Sequence, residues 1–192
     1  MIFNIRVSLS KFTDRDFEFI KYLDPIIIPA VIELKCRWAI AGRYNRITDG
    51  FRTLAEQWKL YLIGRPGLKG GTAGAPVTWV SGLLSWHTHG LAFDVAPLIR
   101  ISVLGYRLDY GLLSRMAPAA QELGFDWGYK LWGTDAPHFH YSGYLTIEEV
   151  IEGQKPKKPI FTPCEKPRAL IRGVNRMLAH HGMLQYALPF PS

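Results

Sequence analysis

The residues best equipped for chemistry lie in two short stretches, Ser85-Trp86-His87-Thr88-His89-Gly90-Leu91-Ala92-Phe93-Asp94 and Asp135-Ala136-Pro137-His138-Phe139-His140. Two imidazoles and a carboxylate, His87, Asp94 and His138, are the donors that a catalytic zinc ion takes: three protein ligands, with a fourth position left for water. Asp135, three residues before His138, is placed to act as a base beside that water. Gly90 allows a sharp turn between His87 and the apolar run Leu91-Ala92-Phe93, which reads as a strand. Side chains alternate along a strand, so Asp94 faces the same way as Ala92 while Phe93 points into the core. A carboxylate after three apolar residues needs a strong partner if buried, and a metal supplies one. His89 and His140 are rival donors, and on a regular strand His140 shares a face with His138. The plain alternatives are structural histidines at 87 and 138, a strand-end aspartate at 94, and a turn aspartate at 135 before Pro137.

These motifs resemble those of a known family. Ser85-x-His87, then Gly90-x-Ala92-x-Asp94, then Asp135-x-Pro137-His138-Phe139 are similar to the zinc D-alanyl-D-alanine carboxypeptidase and L-alanyl-D-glutamate endopeptidase family of cell-wall peptidases, which includes many phage endolysins. Asp49-Gly50-Phe51-Arg52-Thr53, Glu56-Gln57, Leu60-Tyr61, Gly64-Arg65 and Leu123-Gly124-Phe125-Asp126-Trp127-Gly128 extend the likeness, in order, over roughly residues 45–152. The resemblance implies His87, Asp94 and His138 as ligands of one Zn2+ ion and Asp135 as the acid/base. It implies Arg52 as a cleft residue whose guanidinium holds a carboxylate or a developing oxyanion. Ser85 is expected to support the metal site through a hydrogen bond. His89 and His140 stand where the family usually carries other polar residues, so they are expected beside the ligands or on the substrate. Trp132, with Trp86 and Trp127, is read as flanking the cleft or joining the core. Asp126 and Glu122 are weaker candidates for the base.

Positioning these groups requires an ordinary domain. A chain of 192 residues with 48% apolar and 20% charged residues suits a globular protein with a proper core plus an appendage. No run approaches the roughly 18–20 apolar residues of a membrane span. Met1-Ile2-Phe3-Asn4-Ile5-Arg6 lacks the pattern of a secretory signal, so synthesis in the cytoplasm is expected. Cys36 and Cys164 match no metal spacing, and Cys36 reads as a buried thiol. The formal net charge is +7; from Gly153 onward seven basic residues face a single acid, Glu165, so the positive charge belongs to the tail. The partner expected for that charge is the anionic bacterial envelope, not nucleic acid.

Thr13 caps a helix opened by Asp14 and Asp16. Ile26 to Ala41 is apolar enough for a core helix, Arg46 to Arg52 reads as a strand and turn, and Leu54 to Ile63 as a short helix packing Trp58, Tyr61 and Leu62 inward. Five glycines and two prolines make residues 64–76 a surface loop. Asp109 to Leu123 is read as a helix stopped by Gly124, and Phe125-Asp126-Trp127 and His138 to Tyr141 as neighbouring strands. Thr146 to Glu149 is a capped turn. The fold class is α+β, a small antiparallel sheet flanked by helices, with a zinc peptidase domain over 1–152 and a basic linker and tail over 153–192. In the tail, Leu170, Val174, Met177, Leu178 and Met183 lie near helical spacing among Arg168, Arg172, Arg176 and His180. This predicts a basic amphipathic helix, either docked on the domain or anchoring it to the envelope.

The activity expected is zinc-dependent hydrolysis of a peptidoglycan stem-peptide bond. Zinc lowers the pKa of its water to about 7, Asp135 takes the proton and returns it to the departing amine, and Arg52 holds charge on oxygen. Nothing around Ser85 resembles a nucleophile elbow. The missing leader favours an L-alanyl-D-glutamate endopeptidase of the phage-lysin type, reaching the wall after release, over a D-alanyl-D-alanine carboxypeptidase. The alternative of another class is a non-catalytic, zinc-stabilised module that binds envelope or nucleic acid; it gains nothing from a base at Asp135.

Overall fold

The computed structural model describes residues 13–100 and 106–190; the N-terminal residues read above for a leader lie outside them. Local signals open several helices. In α1 (Asp14–Ile20), Thr13 accepts from the Asp16 amide while the Asp16 carboxylate accepts from the Thr13 amide. The same reciprocal box opens α3 (Leu54–Leu62) through Thr53 and Glu56, and α6 (Ile147–Ile151) through Thr146 and Glu149. Helix α2 (Ile28–Ile40) is buried on nearly every side, which is why it carries no polar stripe. Lys35, buried within it, lies 3.1 Å from the Asp16 carboxylate and donates to Asn45 Oδ1 at 2.7 Å. Burial lowers the Lys35 pKa against the pull of Asp16. The same Asp16 oxygen accepts from the Ile47 amide at 2.8 Å, so this cluster ties α1 and α2 to the sheet.

That sheet is antiparallel and five-stranded: β1 (Tyr44–Asp49), β2 (Ala92–Arg100), β3 (Tyr106–Leu108), β4 (Asp126–Trp127) and β5 (His138–His140). The order is β1-β2-β5-β4, with β3 paired to the far end of β2. Its inner face carries Phe93, which meets Phe125 edge-on and stacks on Phe139. Helix α4 (Leu113–Gln121), preceded by a 3-10 turn at Tyr110–Leu112, packs Leu113, Met116, Ala117 and Ala120 into the same core. The Trp38 indole donates to the Met116 carbonyl at 3.0 Å, fixing α2 against α4.

One expectation needs amending, and one open alternative is narrowed. In α3 the buried residue is Gln57, while Trp58 is 46% exposed and stacks on Tyr61. Gln57 turns inward because its amide donates to the Val80 carbonyl at 2.8 Å; a specific partner outweighs the larger apolar area of Trp58. In the tail, the helix α7 (Arg168–His180) places Leu170, Val174 and Leu178 in the core cluster, which is the docked arrangement. Ahead of it, Cys164 N–H donates to Glu33 at 2.7 Å, Lys166 pairs with the same carboxylate, and Arg37 donates to the Thr162 carbonyl. Among the described residues no helix is long and apolar enough to cross a membrane.

Candidate metal centre and active site

Three neighbouring strands carry the candidate groups in one row. Asp49 of β1 is opposite Asp94 of β2, which is opposite His138 of β5. A 3-10 turn, Trp86–His89, brings His87 to this row and ends at Gly90 with φ 69°, where a Cβ would lie 2.8 Å from the Asp24 amide nitrogen. Only glycine fits that turn. His87 Nδ1 is 2.6 Å from the Gly50 carbonyl. A carbonyl only accepts, so Nδ1 carries the proton and Nε2 presents a lone pair.

His87 Nε2, His138 Nδ1 and Asp94 Oδ1 then form a triangle with sides of 3.1, 3.3 and 3.4 Å. Zinc bonds of about 2.0–2.1 Å in a tetrahedron put ligand atoms about 3.3 Å apart, so the donor set and its spacing fit that ion. Among the described residues this is one of two clusters whose ligand atoms converge closely enough for a metal. Burial alone would raise the Asp94 pKa, but His87 and His138 outweigh it and hold the carboxyl well below the usual range. It is therefore ionised, as a ligand must be.

Arg52 is drawn in by the same residues. Its amide donates to the His87 carbonyl, and its guanidinium donates to Asp49 Oδ2 at 2.8 Å, Gln57 Oε1 at 3.1 Å and Asp94 Oδ2 at 3.1 Å. The carboxylate that Arg52 holds is thus that of Asp94, on the oxygen turned away from the imidazoles. Asp49 and Gln57, which the sequence reading did not single out, fix the guanidinium in turn. The only sequence signal for them is their place in the Asp49-Gly50-Phe51-Arg52 and Glu56-Gln57 motifs.

Asp135 precedes β5 in the left-handed region at φ 54°, and its carbonyl accepts from the His138 amide at 3.2 Å. The Trp127 indole donates to the Ala136 carbonyl at 2.7 Å. Gly128 lets the loop close, since a Cβ there would lie 2.7 Å from the Asp135 oxygen. Burial raises the Asp135 pKa; His138 opposes this and the Asp94 charge adds to it. A carboxyl tuned upward beside a donor triangle is what a proton-transfer group needs.

The remaining candidates surround this centre. His140, opposite Ala92 in register, lies between two indoles, with Trp86 at 4.8 Å and Trp132 at 5.8 Å, both near-parallel. Burial and the neighbouring imidazoles push its pKa down to about 3, so it is neutral. Asp126 accepts from the Ser142 hydroxyl at 2.8 Å and lies 3.7 Å from His140 Nε2. His89 turns outward to the Leu83 carbonyl at 2.8 Å. Ser85 is buried at the start of the turn, where its carbonyl accepts from the Thr88 hydroxyl at 2.7 Å. Glu122 is on the surface, paired with Arg37 at 2.8 Å.

Residues 80–141, which hold the triangle and Asp135, match the D-alanyl-D-alanine carboxypeptidase family. Over 113 residues the chain is 32% identical to the peptidoglycan L-alanyl-D-glutamate endopeptidase CwlK of Bacillus subtilis. The match takes in 55% of this chain and 65% of the length of the Bacillus protein. Solved structures with a related outline include the Serratia marcescens L-Ala D-Glu endopeptidase ChiX, at 21% identity and TM-score 0.47 over 71% of this chain and 93% of that one. A vancomycin-resistance D,D-pentapeptidase VanY in complex with Zn(II) aligns at 19% identity and TM-score 0.41, over 68% of this chain and 78% of that one.

Proposed function

We propose that this protein is a zinc-dependent peptidoglycan peptidase that cuts a stem-peptide bond, with the L-alanyl-D-glutamate bond as its target. Its catalytic unit is residues 1–152, and its site of action is the murein layer. One observation carries the reading: two imidazole nitrogens and a carboxylate oxygen converge at 3.1 to 3.4 Å beside an aspartate of raised pKa. The choice of bond rests on the Bacillus relative.

His87, Asp94 and His138 would hold a single Zn2+ ion. When bound, zinc supplies Lewis-acid chemistry, polarising a peptide carbonyl and making water nucleophilic near neutral pH. Asp135 accepts the proton of the attacking water on its carboxylate and delivers it to the departing amine. Arg52 keeps Asp94 oriented through the second oxygen, and Gly50 keeps His87 in one tautomer. Trp86, His140 and Trp132 form one stacked wall of the cleft. The exposed lysines of the linker, Lys155, Lys157 and Lys158, add an electrostatic hold on the anionic envelope.

Digestion of purified murein, with and without a chelator, tests this when products are read by mass spectrometry. Stem peptides with a new amino-terminal D-glutamate are expected, and only when metal is present. Loss of terminal D-alanine alone would transfer the assignment to a carboxypeptidase. Intact murein with the metal-loaded protein would overturn the enzymatic reading altogether.

A further inference from the structure

A second group of donors lies where the C-terminal helix meets the first helix, apart from the catalytic row. Asp14 opens α1, His180 is the last residue of α7, and His181 is its C-cap. One ligand atom from each of the three lies within 4.8 Å of the others. His181 stacks on the buried Phe17 ring at 5.6 Å and meets His180 edge-on at 5.0 Å, so its ring is fixed. Its Nε2 is shielded from solvent and has no hydrogen-bond partner among the described residues, although the His181 side chain is 10% exposed overall. Asp14 Oδ1 stands 3.5 Å away, beyond the roughly 2.7–3.2 Å of an N–H···O bond. A buried ring nitrogen is costly when unpaired, and here it faces a carboxylate at a separation suited to two donors sharing one ion.

We infer that Asp14, His180 and His181 form a second metal site, taking Zn2+ or a similar borderline divalent cation through two imidazoles and a carboxylate. The site is structural. It joins α1 to the end of α7 and so clamps the tail helix to the rest of the fold. It is independent of the catalytic reading, since none of its residues belongs to the row of Asp49, Asp94 and His138. An ordinary ion pair between a protonated His181 and Asp14 is the rival account, and it leaves no part for His180.

The test is zinc stoichiometry and thermal stability of the full chain, stripped of metal and dialysed against micromolar free zinc. Two equivalents are expected for the unmodified protein, and one each for His180→Ala and Asp14→Asn. His138→Ala, altered only at the catalytic row, should still bind one equivalent. Zinc at about a hundredfold over its dissociation constant should raise the melting temperature of that variant by roughly 5–10 °C, and adding His180→Ala should abolish the rise. A single equivalent that persists in His180→Ala and Asp14→Asn, or two that persist in both, would overturn the site. So would a melting temperature of His138→Ala that does not respond to zinc.

Discussion

Arg52→Lys is the most informative single change. Arg52 is 14% exposed and contacts Asp49, Gln57 and Asp94 together, a fork that a lysine ammonium cannot reproduce. A lysine reaching one of these acceptors leaves Asp94 Oδ2 without its donor, and the ligand carboxylate free to rotate. Losing such support costs about 10–100-fold in metal affinity, which is about 1.4–2.8 kcal/mol at 1.4 kcal/mol per tenfold. Competition with a chromogenic zinc chelator measures that affinity directly, and murein turnover is then followed against free zinc. The variant should need more zinc and recover most of its turnover once saturated. An Arg52 that instead held developing charge on substrate oxygen would show unchanged zinc affinity and a loss of about 10²–10³ in kcat at every zinc level. That second pattern would refute the role assigned to the guanidinium.

Asp135→Asn should keep zinc and fold while lowering turnover by about 10²–10⁴; asparagine also tolerates the left-handed backbone at this position. In the zinc-free protein Asp135 should titrate above the ordinary carboxylate value of 3.8, because burial raises its pKa, and an NMR titration of the carboxyl would show it. A group with a raised folded pKa favours the fold below its unfolded pKa and loses that contribution as pH rises, so Asp135→Asn should be neutral or stabilising at pH 7 in thermal melts. His138→Ala should lose catalytic zinc and activity together, whereas His140→Ala should retain the ion, as metal analysis would show; the reverse would exchange their roles. Truncation after Gly153 exposes Leu170's and Val174's binding surface on the core and should lower the melting temperature by roughly 10 °C or more or cost solubility; a stable, soluble fragment would make the tail a separate appendage.

The sequence makes some features plain because they are local. The Thr13–Asp16, Thr53–Glu56 and Thr146–Glu149 boxes are set by three-residue spacings, and the period of two along β2 separates Phe93 from Asp94. His138 and Asp94 face each other only through strand register, yet each stands in a motif that can be read alone. What stays hidden depends on distant partners. The clamp on Arg52 needs Asp49, Gln57 and Asp94 from three elements. Gln57 is buried because of a carbonyl at Val80, against the amphipathic reading of α3. The Asp16–Lys35–Asn45 cluster likewise joins residues that no periodicity connects. The tail helix illustrates the limit: an apolar stripe among arginines is compatible with docking or anchoring, and only the facing surface of α2 and α1 decides.

The contact between Glu33 and the amide of Cys164 spans 131 residues, and this has a kinetic meaning. Helix α2 is synthesised early, with Arg37 already beside Glu33 on the same helix, but Cys164 and Lys166, which complete the pairing of Glu33, emerge only after the whole sheet has been made. Until then the nascent chain carries an ionisable group in an apolar surface that has no lid, a state prone to association. Completion of the fold is therefore gated by translation of the tail. A ribosome stalled between β5 and α7 would display every catalytic residue on a chain that has not yet closed over its core.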